Sequence, residues 1–270
     1  MLTNHFLKQA GRIIGRNKLS ILIYHQVVKK QDPMRPAATC EEKFRWHMKL
    51  VRDHFNPLSM SEAVHRLQNA DLPANSVCVT FDDGYLDNLE VAQPILQEFD
   101  IPATVYIATA FSNGTNMWND RLLDLVGNPE NTTIKLNTLD MGDISVSGWE
   151  TRRALADKVV SKLKYEDYRK RNEIIDAIYA ENSAAEASRK MMTGKEIVQL
   201  AQKGIDIGAH TVDHPILKSL SLEEQRIQIA DSKRWLETLI DKPISGFAYP
   251  NGTPEMDYDS ATVQLVKEAG

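Results

Sequence analysis

The chain has 270 residues, of which 42% are hydrophobic and 26% are charged, so it carries enough apolar side chains for a sizeable core. The net charge of −5 leaves no basic excess of the kind that nucleic-acid-binding proteins show, so we expect no nucleic-acid partner. Two cysteines cannot build a disulfide framework, and no run reaches the roughly 18 apolar residues of a membrane span.

Residues 1–20 have the spacing of an amphipathic helix, with lysines and arginines around an apolar face. They lack the continuous apolar stretch and small-residue cleavage site of a secretory signal, so we expect a cytoplasmic protein. Two roles fit this segment. It either packs on the domain as a terminal helix, or makes peripheral contact with a membrane surface through residues 1–18.

From Leu19 onward, strand-like and helix-like patterns alternate, apart from one interruption. Such alternation predicts parallel strands with helices on the outside. The predicted strands are Leu19–His25, Val77–Phe81, Ala103–Ala108, Ile205–Ile207 and Ile244–Tyr249. The predicted helices outside the interruption run from about Thr39 to His54, onward from Ser59, from about Asp87 to Phe99, from Leu222 to Ile240 and from about Ser260 to Ala269.

Several of these helices begin with a serine or threonine followed three residues later by glutamate, which is the sequence signature of a capping box. Such a pair fixes where a helix begins, because it satisfies N–H groups that have no partner within the helix. The predicted caps are Thr39 with Glu42, Ser59 with Glu62, Thr193 with Glu196 and Ser221 with Glu224.

The interruption, at about residues 112–189, has the pattern of a helical insertion. We predict a helix that begins at Trp118, a hairpin formed by Thr133–Leu139 and Ile144–Ser147, and two charged helices at about Glu150–Lys164 and Glu166–Ala180. Two interpretations are open: the insertion forms a lid or substrate platform at the mouth of a site, or it is a structural decoration.

Asp82 and Asp83 directly follow the predicted strand Val77–Phe81, and Gly84 comes next. Successive strand residues point to opposite faces, so both carboxylates can face one site only if the chain bends, which glycine permits. Two like charges this close are costly unless one binds a metal or takes a proton. The alternative interpretation is an ordinary loop, because Asp-Asp-Gly is common in turns.

His210 and His214 follow the predicted strand Ile205–Ile207 and lie four residues apart. This spacing lets both imidazoles reach one ion. Two histidines and one aspartate make a three-ligand set for a divalent metal and leave positions open for water and substrate. The candidate residues thus fall at the carboxyl ends of strands, where (β/α) barrels carry their sites.

Three motifs resemble those of the polysaccharide deacetylases that share the NodB homology domain, carbohydrate esterase family 4. They are Thr80–Gly84, His210–His214 and Phe247–Gly252. The resemblance runs from about Ile21 to the end of the chain, so residues 21–270 are expected to form one deacetylase-like domain with the insertion inside it. It implies a distorted, incomplete (β/α) barrel similar to a TIM barrel.

The resemblance also implies an enzyme, a metal-dependent hydrolase that removes N-acetyl groups from the amino sugars of an oligo- or polysaccharide. By this resemblance Asp83, His210 and His214 hold the metal, for which we expect Zn²⁺ or another divalent transition metal. Asp82 is then the general base that takes a proton from metal-bound water.

The third motif departs from the family pattern. By resemblance, a backbone N–H near Tyr249, Pro250 and Asn251 stabilises the oxyanion of the reaction. Many members carry an arginine in this motif that pairs with the base, but the matching residue here is Ala248. The tryptophan of the family's fourth motif is also absent from Met191–Glu196.

The family's fifth motif supplies the general acid from a Leu-x-His sequence, which we expect beyond Gly270. Two expectations follow: either the domain is C-terminally incomplete, or another group protonates the leaving amine. His25, at the end of the first predicted strand, is the candidate for that role within this chain.

Two other functions stay open. The protein is either a catalytically impaired carbohydrate-binding or scaffolding relative, or a hydrolase of another non-peptide C–N bond. The complete set of Asp82, Asp83, His210 and His214 favours an enzyme, because a binding module needs no carboxylate beside a metal ligand set.

Overall fold

Parallel strands form the centre of the molecule. The computed structural model describes residues 17–270. Most of the amphipathic segment predicted at residues 1–20 therefore lies outside the described residues. Within them, no helix is long and apolar enough to cross a membrane. The strands are β1 (Leu19–Tyr24), β2 (Val27–Val28), β3 (Thr39–Cys40), β4 (Asn56–Pro57), β5 (Ser76–Phe81), β6 (Ala103–Ile107), β7 (Thr133–Lys135), β8 (Asp143–Ser145) and β9 (Asp206–Ala209).

The main sheet has the order β1–β5–β6–β9, and every pairing in it is parallel. Short β4 pairs with the start of β5. All residues of β5 and β6 are buried, as their unbroken apolar runs predict for strands that are covered on both faces. β1 lies at the edge of the sheet and leaves Ile21 and Ile23 exposed.

Helices follow the strands and cover the sheet, so the predicted α/β class and the distorted barrel are confirmed. The helices are α1 (Glu41–His54), α2 (Met60–Gln68), α3 (Gln93–Glu98), α4 (Trp118–Gly127), α5 (Trp149–Leu163), α6 (Tyr168–Glu181), α7 (Gly194–Gln202), α8 (Leu222–Ile240) and α9 (Ser260–Ala269). The helix predicted from Asp87 begins instead with a π-helical turn, Asn88–Ala92, that continues into α3.

Side-chain caps define three of the four predicted helix starts. Thr193 and Ser221 form capping boxes with their glutamates, and Ser59 accepts a hydrogen bond from the N–H of Glu62. The capping box predicted at Thr39 is wrong. Thr39 is held in β3, which pairs with β2, so α1 begins one residue later after Cys40 and has no side-chain cap.

The strand predicted at Ile244–Tyr249 is also wrong in extent. The segment joins the sheet edge through a single bridge between Phe247 and Ala209. Ala209 donates its N–H to Gly246, and Ala248 donates to Ala209. Pro243 and Pro250 flank the segment and cannot donate to a ladder, which limits the pairing to its centre.

The insertion has a core of its own. Its helices α4, α5 and α6 pack with a hairpin, β7 paired antiparallel to β8, as predicted. Buried side chains from all three helices, among them Leu122, Val159 and Ile175, form this cluster separately from the barrel core. The insertion is therefore a packed unit that can present a rigid surface to the barrel.

Candidate metal centre and active-site cavity

The end of β5 places two aspartates at the mouth of the barrel. Asp82 is fixed by its N–H, which donates to the carbonyl of Tyr24 on β1 at 3.0 Å. Asp83 and Gly84 then adopt left-handed backbone conformations, with φ of 77° and 92°. A Cβ at Gly84 would lie 2.9 Å from Cδ1 of Ile107, so glycine is required for both conformation and space. This reversal lets both carboxylates line one cavity.

The loop after β9 places the two histidines beside them. Thr211 and His214 have left-handed backbones, with φ of 68° and 52°. This conformation is a true outlier for the β-branched Thr211, and such strain persists only where surrounding contacts enforce it. The Thr211 hydroxyl accepts from the N–H of His214 and donates to the carbonyl of His210, which closes the loop on itself.

Gln228, a buried residue of α8, makes three further contacts that shape this loop. Its Oε1 accepts from the N–H groups of Val212 and Asp213 at 3.0 and 2.9 Å. Its Nε2 donates to the Asp213 carboxylate at 2.7 Å. Thr211 and Asp213 thus orient the loop rather than join the ligand set.

Asp83, His210 and His214 converge on one point. Their ligand atoms lie within 4.8 Å of one another, and Asp83 Oδ1 is 3.4 Å from Nε2 of His210 and 3.3 Å from Nε2 of His214. His210 faces the carbonyl of Ala248 with Nδ1 at 2.8 Å, so Nδ1 carries the proton and donates. That contact leaves Nε2 with its lone pair directed at Asp83, the tautomer that a metal ligand needs.

The electrostatics of the cluster also suit a cation. Burial raises the pKa of Asp83, but His214 and His210 outweigh it and hold the pKa below its usual range. Burial lowers the pKa of His214 to about 4, so this imidazole is neutral at neutral pH. Burial lowers the pKa of His210, but the neighbouring Asp83 carboxylate raises it by more, so the pKa lies above its usual value.

The three residues fit a divalent metal. Asp83 Oδ1 is buried and has no hydrogen-bond partner in residues 17–270, and an unpaired buried carboxylate oxygen is costly. An ion between Oδ1 and the two Nε2 atoms would satisfy it. The set of one carboxylate and two imidazoles suits zinc and related divalent transition metals and leaves coordination positions free.

Asp82 lines the cavity beside this cluster without belonging to it. Burial, with a contribution from the Asp83 charge, raises its pKa, although His210 and His25 oppose the shift. Within the described chain its carboxylate makes no hydrogen bond or salt bridge, so no arginine replaces the family arginine that is missing at Ala248. A free carboxylate with a raised pKa is suited to proton transfer.

The third motif contributes to the same cavity through Tyr249 and Asn251. Tyr249 stacks on Tyr258 with ring centroids 4.1 Å apart. Pro250 has no N–H and therefore cannot donate to an oxyanion. The N–H groups of Tyr249 and Asn251 have no acceptor within the described residues and are the donors that this motif offers.

His25 also lines the cavity, directly after β1. Its imidazole is exposed, and its carbonyl accepts from Nδ2 of Asn88 at 2.8 Å. Among the histidines of residues 17–270, it is the one outside the ligand pair that reaches this cavity. His47, in contrast, does not line this cavity; its Nδ1 makes a hydrogen bond with the hydroxyl of Tyr24.

The insertion forms one wall of the cavity, which has a volume of about 470 Å³. The sequence interpretation did not identify these wall residues. They are Met117, Trp118, Asn119, Val160, Lys164 and Arg171. Arg171 carried a usable signal, because it occupies the same helical stripe of α6 as buried Ile175 and Ile178, where a charged residue is unusual.

The fold and the site together define the class: a parallel α/β barrel with an Asp-His-His cluster, suited to a divalent metal, at the carboxyl ends of its strands. The family profile named "Polysaccharide deacetylase" matches residues 69–270. The chain belongs to the polysaccharide deacetylase family, carbohydrate esterase family 4 with the NodB homology domain.

Relatives are distant in sequence. YxkH of Bacillus subtilis, a polysaccharide deacetylase by name, is 22% identical over 94% of this chain, which spans 62% of the length of that relative. The Streptococcus pyogenes deacetylase PplD, solved with acetate, is 22% identical with a TM-score of 0.58, covering 93% of this chain and 80% of its own. A de-N-acetylase from Aggregatibacter actinomycetemcomitans is 16% identical with a TM-score of 0.56, and the match covers 93% of this chain and 85% of that one. These likenesses show a shared fold.

Proposed function

We propose that the protein is a metal-dependent hydrolase that removes N-acetyl groups from amino sugars of an oligo- or polysaccharide. The observation that carries this proposal is the juxtaposition of Asp82 with the cluster of Asp83, His210 and His214 in one cavity. A carboxylate that is free of partners beside three metal ligands suits amide hydrolysis. Family membership and the de-N-acetylase of the same fold support the reaction class.

Amide hydrolysis needs a stronger nucleophile than water and a more electrophilic carbonyl. A divalent ion such as Zn²⁺ on Asp83, His210 and His214 would supply both, by lowering the pKa of bound water and by polarising the acyl oxygen. Asp82 accepts a proton from the attacking water, since its side chain faces the cavity and makes no competing hydrogen bond.

Two further steps use the cavity wall. The N–H of Tyr249 donates to the oxyanion that develops on the acyl oxygen when water adds to the acyl carbon, which is the stabilisation that hydrolases obtain from backbone donors. His25, which lines the same cavity, gives a proton to the departing sugar amine in this proposal, so that the amine leaves as a neutral group. Acetate and the free amino sugar are the products.

Acetate release from N-acetylglucosamine oligomers tests this proposal. The protein is treated with a chelator and then compared before and after reloading with Zn²⁺, Co²⁺ or Mn²⁺. We expect release only from the reloaded protein, and the ranking of the ions identifies the preferred metal. A protein that binds one metal ion but releases no acetate from neutral or acidic N-acetylated sugars would instead be a carbohydrate-binding relative.

A further inference from the structure

The wall that the insertion gives to the active-site cavity carries positive charge. Lys164 at the end of α5 and Arg171 on α6 both line it. None of the described residues that the insertion contributes to this wall is acidic. The acidic groups of the cavity are Asp82 and Asp83. Asp83 belongs to the metal ligand set, and Asp82 is the proposed general base.

Arg171 is buried, and none of the described anions lies within ion-pair distance of it; the charge of Asp167 acts on the guanidinium from farther away. It is 4% exposed, its Nε is enclosed without any acceptor, and its guanidinium makes no hydrogen bond or salt bridge within residues 17–270. Its contact is with the ring of Trp118, whose centroid lies 4.5 Å from Cζ. A cation–π contact holds the planar group in place but leaves its donors unused.

Two other arginines show that a guanidinium without hydrogen-bond acceptors is unusual in this part of the molecule. Arg152 lies within the insertion, and Arg35 packs against it. Arg152 is 3% exposed and donates to the carbonyls of Val126, Asn128 and Asn131. Arg35 donates to three carboxylates. Buried guanidinium groups are normally satisfied in this manner, because leaving them unpaired is costly. Arg171 is thus the exception, and its position faces the site.

A second polar group on the same wall is unsatisfied. Oδ1 of Asn119 is buried without a donor, and Asn119 lines the cavity next to Trp118. The wall therefore offers a guanidinium fork, an ammonium group, an aromatic face and an amide acceptor. A sugar with an oxyanion, a hydroxyl and an apolar ring face would match these four groups.

We propose that Arg171, assisted by Lys164, binds a carboxylate or phosphate group of the substrate, which makes the preferred substrate an acidic N-acetylated sugar rather than a neutral one. This inference rests on the proposed deacetylase function and specifies its substrate class. The guanidinium presents parallel N–H donors that match two oxygens of one oxyanion. Oδ1 of Asn119 accepts a hydrogen bond from a hydroxyl or amide N–H of the same sugar.

Binding to the zinc-loaded protein, measured by calorimetry, tests the proposal independently of turnover. The probes are neutral N-acetylglucosamine, N-acetylmuramic acid with its carboxylate, and N-acetylglucosamine 1-phosphate. We expect at least one acidic probe to bind about tenfold or more tightly than the neutral sugar, since hydrogen bonds between charged groups are among the strongest. The better of the two acidic probes identifies the oxyanion.

Arg171→Gln is expected to abolish that preference, because it weakens binding of the acidic probe much more than binding of N-acetylglucosamine. Arg171→Lys keeps the charge but loses the fork, so we expect a reduced preference; it also serves as the test variant if Arg171→Gln does not fold. Arg169→Gln, on the exposed face of the same helix, is the matched control and should retain the full preference.

Equal binding of neutral and acidic probes by the native protein would overturn the proposal. So would an unchanged preference in folded Arg171→Gln and Arg171→Lys. Failure of the deacetylase function has a different signature: acidic sugars bind with the Arg171-dependent preference, yet no acetate is released. Acetate release from neutral oligomers without any preference contradicts only the acidic-substrate inference.

Discussion

The side-chain amide of Gln228 holds three groups of the histidine loop at once. Replacing it with methionine keeps the volume but leaves two N–H groups and one carboxylate of the loop unpaired. Contacts of this kind, one step removed from the metal, typically change metal affinity by about 10- to 100-fold. We expect Gln228→Met to weaken zinc binding by that factor, as measured by competition with a chromogenic chelator.

The control for this prediction is Gln264→Met, which changes an exposed glutamine on α9. It should leave zinc affinity unchanged. Native affinity in Gln228→Met would show that Thr211 and the backbone alone hold His210 and His214 in place.

Asp87 gives a prediction about stability and pH. Burial is the largest effect and raises its pKa to about 7, although the N–H of Val27 and the amide of Asn88 favour the ionised form. The unfolded chain holds the carboxyl near its ordinary pKa of about 4. A raised folded-state pKa means that this group's stabilising contribution is present below pH 4 and is lost as the pH rises through 7.

We therefore expect Asp87→Asn to be more stable than the native protein at pH 8, with the difference shrinking toward pH 4. Urea unfolding of both proteins at pH 4.5, 6 and 8 measures it. A difference that is constant across this range would contradict the titration of Asp87.

Single residues also show what a sequence can and cannot reveal. Asp83, His210 and His214 could be found because few chemistries other than metal binding require carboxylate and imidazole at strand ends. Arg171 shares the helical stripe of Ile175 and Ile178, so its burial was predictable from the sequence, but the groups that it faces were not. Its function depends on Trp118, which is 53 positions away in the sequence and adjacent only in space.

At the scale of elements, a buried network of charges joins the insertion to the barrel. Arg35 donates to Asp120 and Asp124, both on α4, and to Asp32. Asp120 also accepts from the hydroxyl of Tyr85, which follows the Asp82–Gly84 turn. Asp120 is 1% exposed, so removing the arginine leaves a buried carboxylate without its cation.

Breaking such a buried pair by removing one partner costs about 3–5 kcal/mol. We expect Arg35→Met to lower the free energy of unfolding by this amount in denaturant titrations. Arg66→Met removes the half-exposed pair with Glu62 and should cost less than about 1 kcal/mol. Equal losses in the two variants would mean that the network contributes no more than a surface ion pair.

Element boundaries were predictable where local side chains set them. The Ser221 and Thr193 caps define α8 and α7 as predicted, because both partners of each box lie within one turn. The prediction failed at Thr39, where pairing with Val27 removed the residue from the helix. Such pairing is a tertiary contact, and propensity within a short window does not contain it.

At the scale of the whole molecule, the metal site ties three separate parts of the chain together. Asp83 follows β5, the histidines follow β9, and the carbonyl that orients His210 comes from Ala248. A ligand that binds only the folded state stabilises it by mass action, by about 4 kcal/mol at a thousand times its dissociation constant. In a domain of this size each kcal/mol raises Tm by roughly 2–4 °C.

We therefore expect zinc in that excess to raise Tm by roughly 8–16 °C, and a chelator to reverse the change. Asp83→Asn should show no zinc-dependent shift, because it removes the charged ligand. A native protein whose Tm is indifferent to zinc, cobalt and manganese would contradict a metal site in this cluster.

The overall architecture followed from the alternation of strand and helix patterns, but the role of the insertion did not. Charged helices such as α5 and α6 fit a lid, a platform or a decoration equally well in sequence. Only the packing of α4–α6 against the barrel brings Trp118, Lys164 and Arg171 to the cavity, which supports the platform interpretation.

In the proposed reaction Asp82 acts as a base beside a metal that Asp83, His210 and His214 hold. The most direct test is acetate release by zinc-loaded Asp82→Asn, with exposed Asp71→Asn as the matched control. Removing a general base typically costs about 10²- to 10⁴-fold in rate. We predict a loss of that size in Asp82→Asn at an unchanged zinc content of one ion per chain, with native rates in Asp71→Asn. Native release by zinc-loaded Asp82→Asn would contradict the role of Asp82 as the general base.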